Sequence, residues 1–168
     1  MTRKLNKPLI EIWTDGSVQP TNPGPHGGWS AILLDPKRGR IRAISGYFPN
    51  ATNQRAEASA VLHALETLTR PCTVSLFTDS MYVISCIRKM LKKQKSNWLP
   101  ESNREVWQQL RPYFRVHTIR LEYVKGHNDN EMNEWADVLA YKASHLYHGQ
   151  DAYYRSVPVI EKRSKLKL

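Results

Sequence analysis

Two strand-like runs that each end in an aspartate constrain this chain more than any other feature. Leu9-Ile10-Glu11-Ile12-Trp13 runs into Thr14-Asp15-Gly16-Ser17, and Val74-Ser75-Leu76-Phe77 runs into Thr78-Asp79-Ser80. Alternation with period two marks a strand with one face turned to a core. Two such strands bring one carboxylate each to the same end of a sheet, and the helices that follow carry further acids. A cluster of that kind offers hard oxygen ligands, for which Mg2+ is the natural guest and Mn2+ a possible substitute.

The charge around that acidic pocket has the opposite sign. The chain carries a formal net charge of +10, which draws phosphates to the surface while the pocket accepts metal. The combination points to a nuclease. At 168 residues and 40% hydrophobic, the chain fits one α/β domain with a full core. Two cysteines, Cys72 and Cys86, make neither a four-thiolate zinc site nor a disulfide framework. Met1-Thr2-Arg3-Lys4 leads into no apolar signal segment, and no apolar run approaches the roughly 20 residues of a membrane span. The expectation is a reduced, intracellular, cytoplasmic monomer.

Residues 8–15, 28–35 and 40–48 read as sequential antiparallel strands, separated by turn-rich 20–28 and by the link 35–39. Ala58, Val61, Leu62, Leu65 and Leu68 recur at helical spacing over 54–69, before a strand at 73–79. Ser80 caps a helix bearing Val83, Ile84 and Ile87; a helix at 101–111, a strand at 118–124 and a helix at 131–147 follow. The order βββαβααβα predicts a five-stranded mixed sheet flanked by helices, with a site at strand carboxyl ends. The domain is expected over 1–148. From 149 to 168 periodicity is lost and Arg155, Lys162, Arg163, Lys165 and Lys167 face only Asp151 and Glu161, which predicts a basic, mobile tail.

Five blocks carry a resemblance to type 1 ribonuclease H: Thr14-Asp15-Gly16-Ser17, Asn22-Pro23-Gly24, Thr52-Asn53-Gln54-Arg55-Ala56-Glu57, Thr78-Asp79-Ser80, and Val124-Lys125-Gly126-His127 through Asn133-Glu134-Trp135-Ala136-Asp137. They occur in the family's order over about residues 8–145. The resemblance implies the ribonuclease H-like fold and endonucleolytic hydrolysis of the RNA strand of RNA/DNA hybrids. It also implies two Mg2+ ions held by Asp15, Glu57, Asp79 and Asp137. Two ions suit an in-line phosphodiester displacement, one activating water and the other stabilising the departing oxygen, and only crowded carboxylates hold them so close. Taken singly, Asp79 at a helix start and Glu57 in a first helical turn are ordinary dipole partners. Four unrelated caps have no reason to follow the motif spacing.

The resemblance gives His127, in a loop after a strand, an auxiliary role in proton shuttling or product release, which suits an imidazole titrating near neutrality. It implies that Asn22, Asn53 and Gln54 read the ribose 2′-hydroxyl, both donor and acceptor; turn chemistry at Asn22 and helix capping by Asn53 are compatible local roles. Asn133, four residues before Asp137, shares its helical face. Thr52 and Asn103 match positions that cradle a DNA phosphate.

Arg88 to Lys95 carries five cations in eight residues and is followed by Trp98. The resemblance makes it a basic protrusion in which Lys92, Lys93, Lys95 and Trp98 track the DNA strand, since like charges crowd at a cost that an anion relieves. The family's protrusion often carries two tryptophans. Depending on alignment, those places hold Met90 and Gln94 or Lys89 and Lys93, which shifts the DNA grip towards charge. Asn50 stands where an arginine is common. Two rivals remain open here: a nuclease of the same fold acting on branched DNA, and an inactive hybrid-binding module.

Overall fold

The computed structural model describes residues 7–126, 130–146, 154–155 and 159–162. In chain order the elements are β1 (Leu9–Gln19), β2 (Gly24–Asp35), β3 (Arg40–Ala51), α1 (Asn53–Glu66), β4 (Thr73–Thr78), α2 (Met81–Lys92), α3 (Arg104–Val116), β5 (Thr118–Tyr123), α4 (Glu131–Leu146), β6 (Tyr154–Arg155) and β7 (Val159–Lys162). The sheet order is β5-β4-β1-β2-β3-β6, with β7 also pairing β3. β1 lies at its centre, antiparallel to β2 and parallel to β4; β3 is antiparallel to β2 and β5 parallel to β4. Five mixed strands and four helices are what the alternating runs and helical periodicities predict.

Alternation along β1 divides two cores. Ile12 packs with α1, α2 and α3 through Ala60, Leu65, Ile87 and Trp107, whereas Trp13 packs on the other face with Ile32, Leu34, Ile41 and Ala136. Two glycines let helices lie directly on the sheet. A Cβ on Gly28 would run into the Ala140 carbonyl oxygen of α4, and one on Gly16 would fall 2.6 Å from the Glu57 nitrogen of α1. No side chain larger than hydrogen fits between these backbones. Ser30 Oγ, on the same face of β2 as α4, donates to the Ala136 carbonyl at 2.5 Å.

Three boundaries differ from those read along the chain. β2 begins at Gly24 instead of 28, because β1 and β3 supply ladder partners that carry even Gly27 and Gly28 in extended form. α3 runs to Val116 through Pro112. An internal proline costs about 3 kcal/mol, and the buried stripe Val106, Trp107, Leu110 and Phe114 offsets it. Within the segment expected as a mobile tail, β6 and β7 pair antiparallel with β3, Tyr154 opposite Tyr47 and Val159 opposite Ala43. The outer edge of β3 presents unpaired backbone groups to any β-prone stretch that reaches it, and Val159 and Ile160 are β-branched.

Among the described residues no helix is long and apolar enough to cross a membrane. Cys72 and Cys86 are both free and buried.

Candidate active site

The ladder between β1 and β4 brings the two motif aspartates level. Trp13 pairs with Phe77 in parallel register, and their rings stack at 4.6 Å and 8°. Asp15 and Asp79 lie two residues further along each chain, on the same face, with neighbouring strands about 4.8 Å apart. Glu57 reaches the same point from α1 because Gly16 admits the helix. Carboxylate oxygens of Asp15, Glu57 and Asp79 lie within 4.8 Å of one another. Asp137 arrives from α4, which Gly28 seats on β2, and hydrogen-bonds with Asp15. All four acids line one cavity of about 210 Å³.

Such crowding is electrostatically costly. Burial, then the charge of Asp79, raise the Asp15 carboxyl to about 8, against a lowering by the hydrogen bond from the Gly16 N–H, which measures 2.8 Å. Burial and then the charges of Asp15 and Asp79 push Glu57 well above the ordinary carboxylate range. Two oxygens of residues lining this cavity have no hydrogen-bond partner among the described residues, Glu57 Oε2 and Asn133 Oδ1, both buried. Repelling carboxylates, oxygen-only donors and orphaned acceptors make a set that lacks positive charge, and a divalent cation fits it.

The polar residues assigned to the substrate form a shelf beside the acids. Thr52 caps α1, its Oγ1 accepting from Arg55 N–H at 3.2 Å, so Asn53 does not serve as that cap. Asn22 Oδ1 instead accepts from Asn53 N–H at 3.0 Å, which ties the β1–β2 turn to the start of α1. Ser102 Oγ donates to Gln54 Oε1 at 3.3 Å. Asn103 adopts a left-handed conformation at φ 54, and its Nδ2 donates to Tyr82 Oη at 3.1 Å and Ser102 Oγ at 3.2 Å. Asn22, Thr52, Asn53, Gln54 and Asn103 thus come together through loops and two helix N-termini. Asn50, with φ 52, occupies a left-handed position that asparagine tolerates better than arginine.

The basic segment stands apart from that shelf. Lys92, Lys93 and Lys95 are exposed, while Met90 is buried in the core beneath. With Met90 turned inward, Trp98 is the aromatic among the cations: Lys89 Nζ lies 4.3 Å and Lys93 Nζ 5.9 Å from its ring centroid. Arg111 Nη2 donates to the Trp98 carbonyl at 2.6 Å and anchors it. His127 lies outside the described residues. Its neighbour Gly126 approaches the acids, a Cβ there falling 3.0 Å from Asp79 Oδ2.

Two contributors were missed along the chain. Glu134 also lines the cavity; its place three residues before Asp137 was the available signal, since i and i+3 share a helical face. Tyr82 is a hub whose Oη donates to the Ser102 carbonyl at 3.0 Å and accepts from Asn103 and from Trp107 Nε1 at 2.9 Å. Nothing local to Tyr82 in the sequence signals that, because its partners are about 20 residues away.

The family model described as RNase H matches residues 7–145. The Ribonuclease H of Thermoanaerobacter sp. (strain X514) is 43% identical over 142 residues, covering 80% of this chain and 89% of that protein. Among solved structures, LC9-RNase H1, a type 1 RNase H with the type 2 active-site motif, superposes with TM-score 0.69 at 21% identity, over 89% of this chain and 78% of that one. LC11-RNase H1 in complex with RNA/DNA hybrid superposes with TM-score 0.65 at 21% identity, over 82% and 97%.

Proposed function

The chain belongs to the RNase H family, and on that premise we propose that it is a monomeric, cytoplasmic endoribonuclease that hydrolyses the RNA strand of RNA/DNA hybrids with two divalent cations, Mg2+ by preference and Mn2+ as a substitute. As a ribonuclease H it is a hydrolase acting on RNA. The observation that carries the finer reading is the cluster of Asp15, Glu57 and Asp79 within 4.8 Å, joined by Asp137 and starved of positive charge.

Asp15, Glu57, Asp79 and Asp137 would hold the cations, Asp15 as the shared ligand. When bound, the two ions supply an activated water and neutralise charge on the departing oxygen. The chain's own residues do the rest. Asn22, Asn53 and Gln54 present neutral amides to the ribose 2′-hydroxyl, and Asn22 is fixed by its bond to the Asn53 backbone. Thr52 and Asn103 hold a phosphate of the DNA strand, Asn103 oriented through Tyr82. Asn133 offers an amide at the cavity wall. Lys92, Lys93 and Lys95, with Trp98, grip the DNA backbone further out. His127 shuttles a proton or assists product departure, leaving 3′-hydroxyl and 5′-phosphate ends. We take 1–148 as the domain and 149–168 as its appendage. The family relation and a same-fold neighbour holding a hybrid support hybrid over branched DNA, and the complete quartet supports an enzyme over a binding module.

A divalent-metal titration on strand-labelled hybrid tests the reading. RNA should be cut in Mg2+ while the matching DNA duplex stays intact, and 2′-O-methylation near the cut should block hydrolysis. Equal cleavage of the DNA duplex would refute it.

A further inference from the structure

The end of the sheet opposite the carboxylates carries a second concentration of charge that cleavage does not use. Two clefts of about 260 and 510 Å³ adjoin there and meet at Asp35 and Arg38. Leu9 lines one of them, and six residues of extended strand separate it from Asp15, about 20 Å. Arg40 and Arg42 project from alternate positions of β3 on the face that buries Ile44 beneath α1, and Thr67 and Leu68, just past α1, form the opposing wall. Lys37 and Arg38 come from the β2–β3 link, and Lys7 and Arg70 complete the second cleft.

Against these six cations the described residues lining the clefts include one carboxylate, Asp35. It is already engaged by Arg38, whose backbone N–H donates to Oδ1 at 3.0 Å and whose Nη1 lies 3.2 Å from Oδ2. Lys7 is held in place by Nζ bonds to the Val116 carbonyl and Thr118 Oγ1. Arg42 Nε is buried with no hydrogen-bond partner among the described residues. A buried guanidinium donor without an acceptor, at the edge of an unbalanced cationic cleft, lacks an anion.

We propose that this end of the sheet is a second nucleic-acid site, which takes the phosphate backbone of a single strand flanking the duplex under cleavage. Arginine forks match phosphate oxygens in pairs. Arg40 and Arg42, two strand positions apart, stand about 6.7 Å from each other along β3, close to the spacing of successive phosphates in an extended strand. Cations spread over two joined clefts suit a run of phosphates better than one free phosphate. Concave clefts admit a single strand and exclude the convex duplex. Among the described residues no aromatic side chain lines either cleft, so the grip falls on phosphates without base stacking or sequence preference.

Binding without hydrolysis tests this independently of the cleavage reading. The full chain is titrated, in EDTA, against a fluorescent 20-nucleotide single-stranded DNA over a salt series. The variant Lys37→Gln/Arg40→Gln/Arg42→Gln should lower the slope of log affinity against log salt by about 2, at roughly 0.7 per lost phosphate contact. It should also abolish the affinity gain that a single-stranded DNA overhang gives a blunt hybrid, with kcat on the blunt hybrid unchanged. Where the variant does not fold, acetylation footprinting of the wild-type chain substitutes: single-stranded DNA should protect Lys7 and Lys37. An unchanged slope and overhang gain in the folded variant, or absent protection, would overturn the site. Tighter competition by a poly-glutamate peptide than by DNA would overturn the nucleic-acid assignment.

Discussion

At one end of the sheet Asp15, Glu57 and Asp79 bring three carboxylates within 4.8 Å, Asp15 buried and the other two half-buried, pressed together by backbones that touch at Gly16. At the other, Arg38 and Arg40 stand exposed around open clefts, and Gly39 between them has nothing within 4 Å of where a Cβ would lie. Buried like charge is expensive, so the acidic end depends on rigid packing to keep it there; exposed like charge is screened by water and salt and needs little support. The proposed chemistry therefore sits where the fold bears the greater cost. On the proposed reading the basic end and the basic protrusion, both solvated, would contribute affinity that salt can erase.

The sharpest break of this contrast is Asp15→Asn. It should lower turnover by more than about 10³-fold, the several kcal/mol that a metal site contributes to transition-state charge, while hybrid binding persists. Thermal stability should hold or rise, since one of the repelling charges is gone. His127→Ala should cost less, within the roughly 10² to 10⁴ of acid/base assistance. Single-turnover rates on labelled hybrid rank the two, and an inverted order would remove Asp15 from the centre.

Next comes the backbone. Gly16→Ala places a methyl 2.6 Å from Glu57 N and 2.7 Å from the Ala56 carbonyl carbon, so α1 must shift and take Glu57 with it. A displacement near 1 Å costs about 10²-fold in rate, and overpacking about 1–3 kcal/mol in stability. Gly39→Ala, at φ +59 with open space around it, should cost only the left-handed penalty of about 1–2 kcal/mol and leave kcat unchanged. Equal kinetic losses in the two variants would dissolve the contrast between the ends.

A subtler difference lies in pH. Asp15 is raised from 3.8 to about 8, so its protonated form is the one the metal-free fold favours. That contribution is full below about pH 4 and is lost as pH rises through about 8. In EDTA, wild type should therefore lose stability relative to Asp15→Asn across that window, and Mg2+ should restore it at the alkaline side. Melting curves at pH 5 and pH 9 measure this, and a wild-type curve parallel to the variant's would contradict it. The smallest effect belongs to the protrusion. Lys92→Gln/Lys93→Gln/Lys95→Gln should raise KM at moderate salt and flatten the salt dependence of binding by about 0.7 to 0.9 per lost contact, with kcat intact, because these cations hold ground state and transition state alike. An unchanged slope would reduce the segment to a solvated helix end.

Much of the acidic end is legible in the amino-acid sequence. Asp15 and Asp79 end strands whose alternation is local, and Glu57 and Asp137 fall in motifs with fixed spacing. The surrounding shelf is less so. Asn53 reads as a cap until Thr52 is seen to take that role, and Met90 reads as a protrusion residue until it is found buried. Glu134 is within reach of the helical period. Tyr82 is not, since a side chain that bridges Ser102, Asn103 and Trp107 is defined by where two helices meet.

The sequence by itself determined the element order, the faces that bury and the identity of the four acids, because these rest on periodicity, capping and motif spacing, which act over a few residues. Only the tertiary structure decided that Gly24 to Gly28 pair as strand, that α3 passes through Pro112, that β7 lies on the edge of β3, and that six cations from four separate segments gather opposite the carboxylates. Those outcomes depend on partners distant in the chain. A backbone hydrogen bond or a shared cleft acts only once folding has brought both sides together, and no local pattern records who the partner will be.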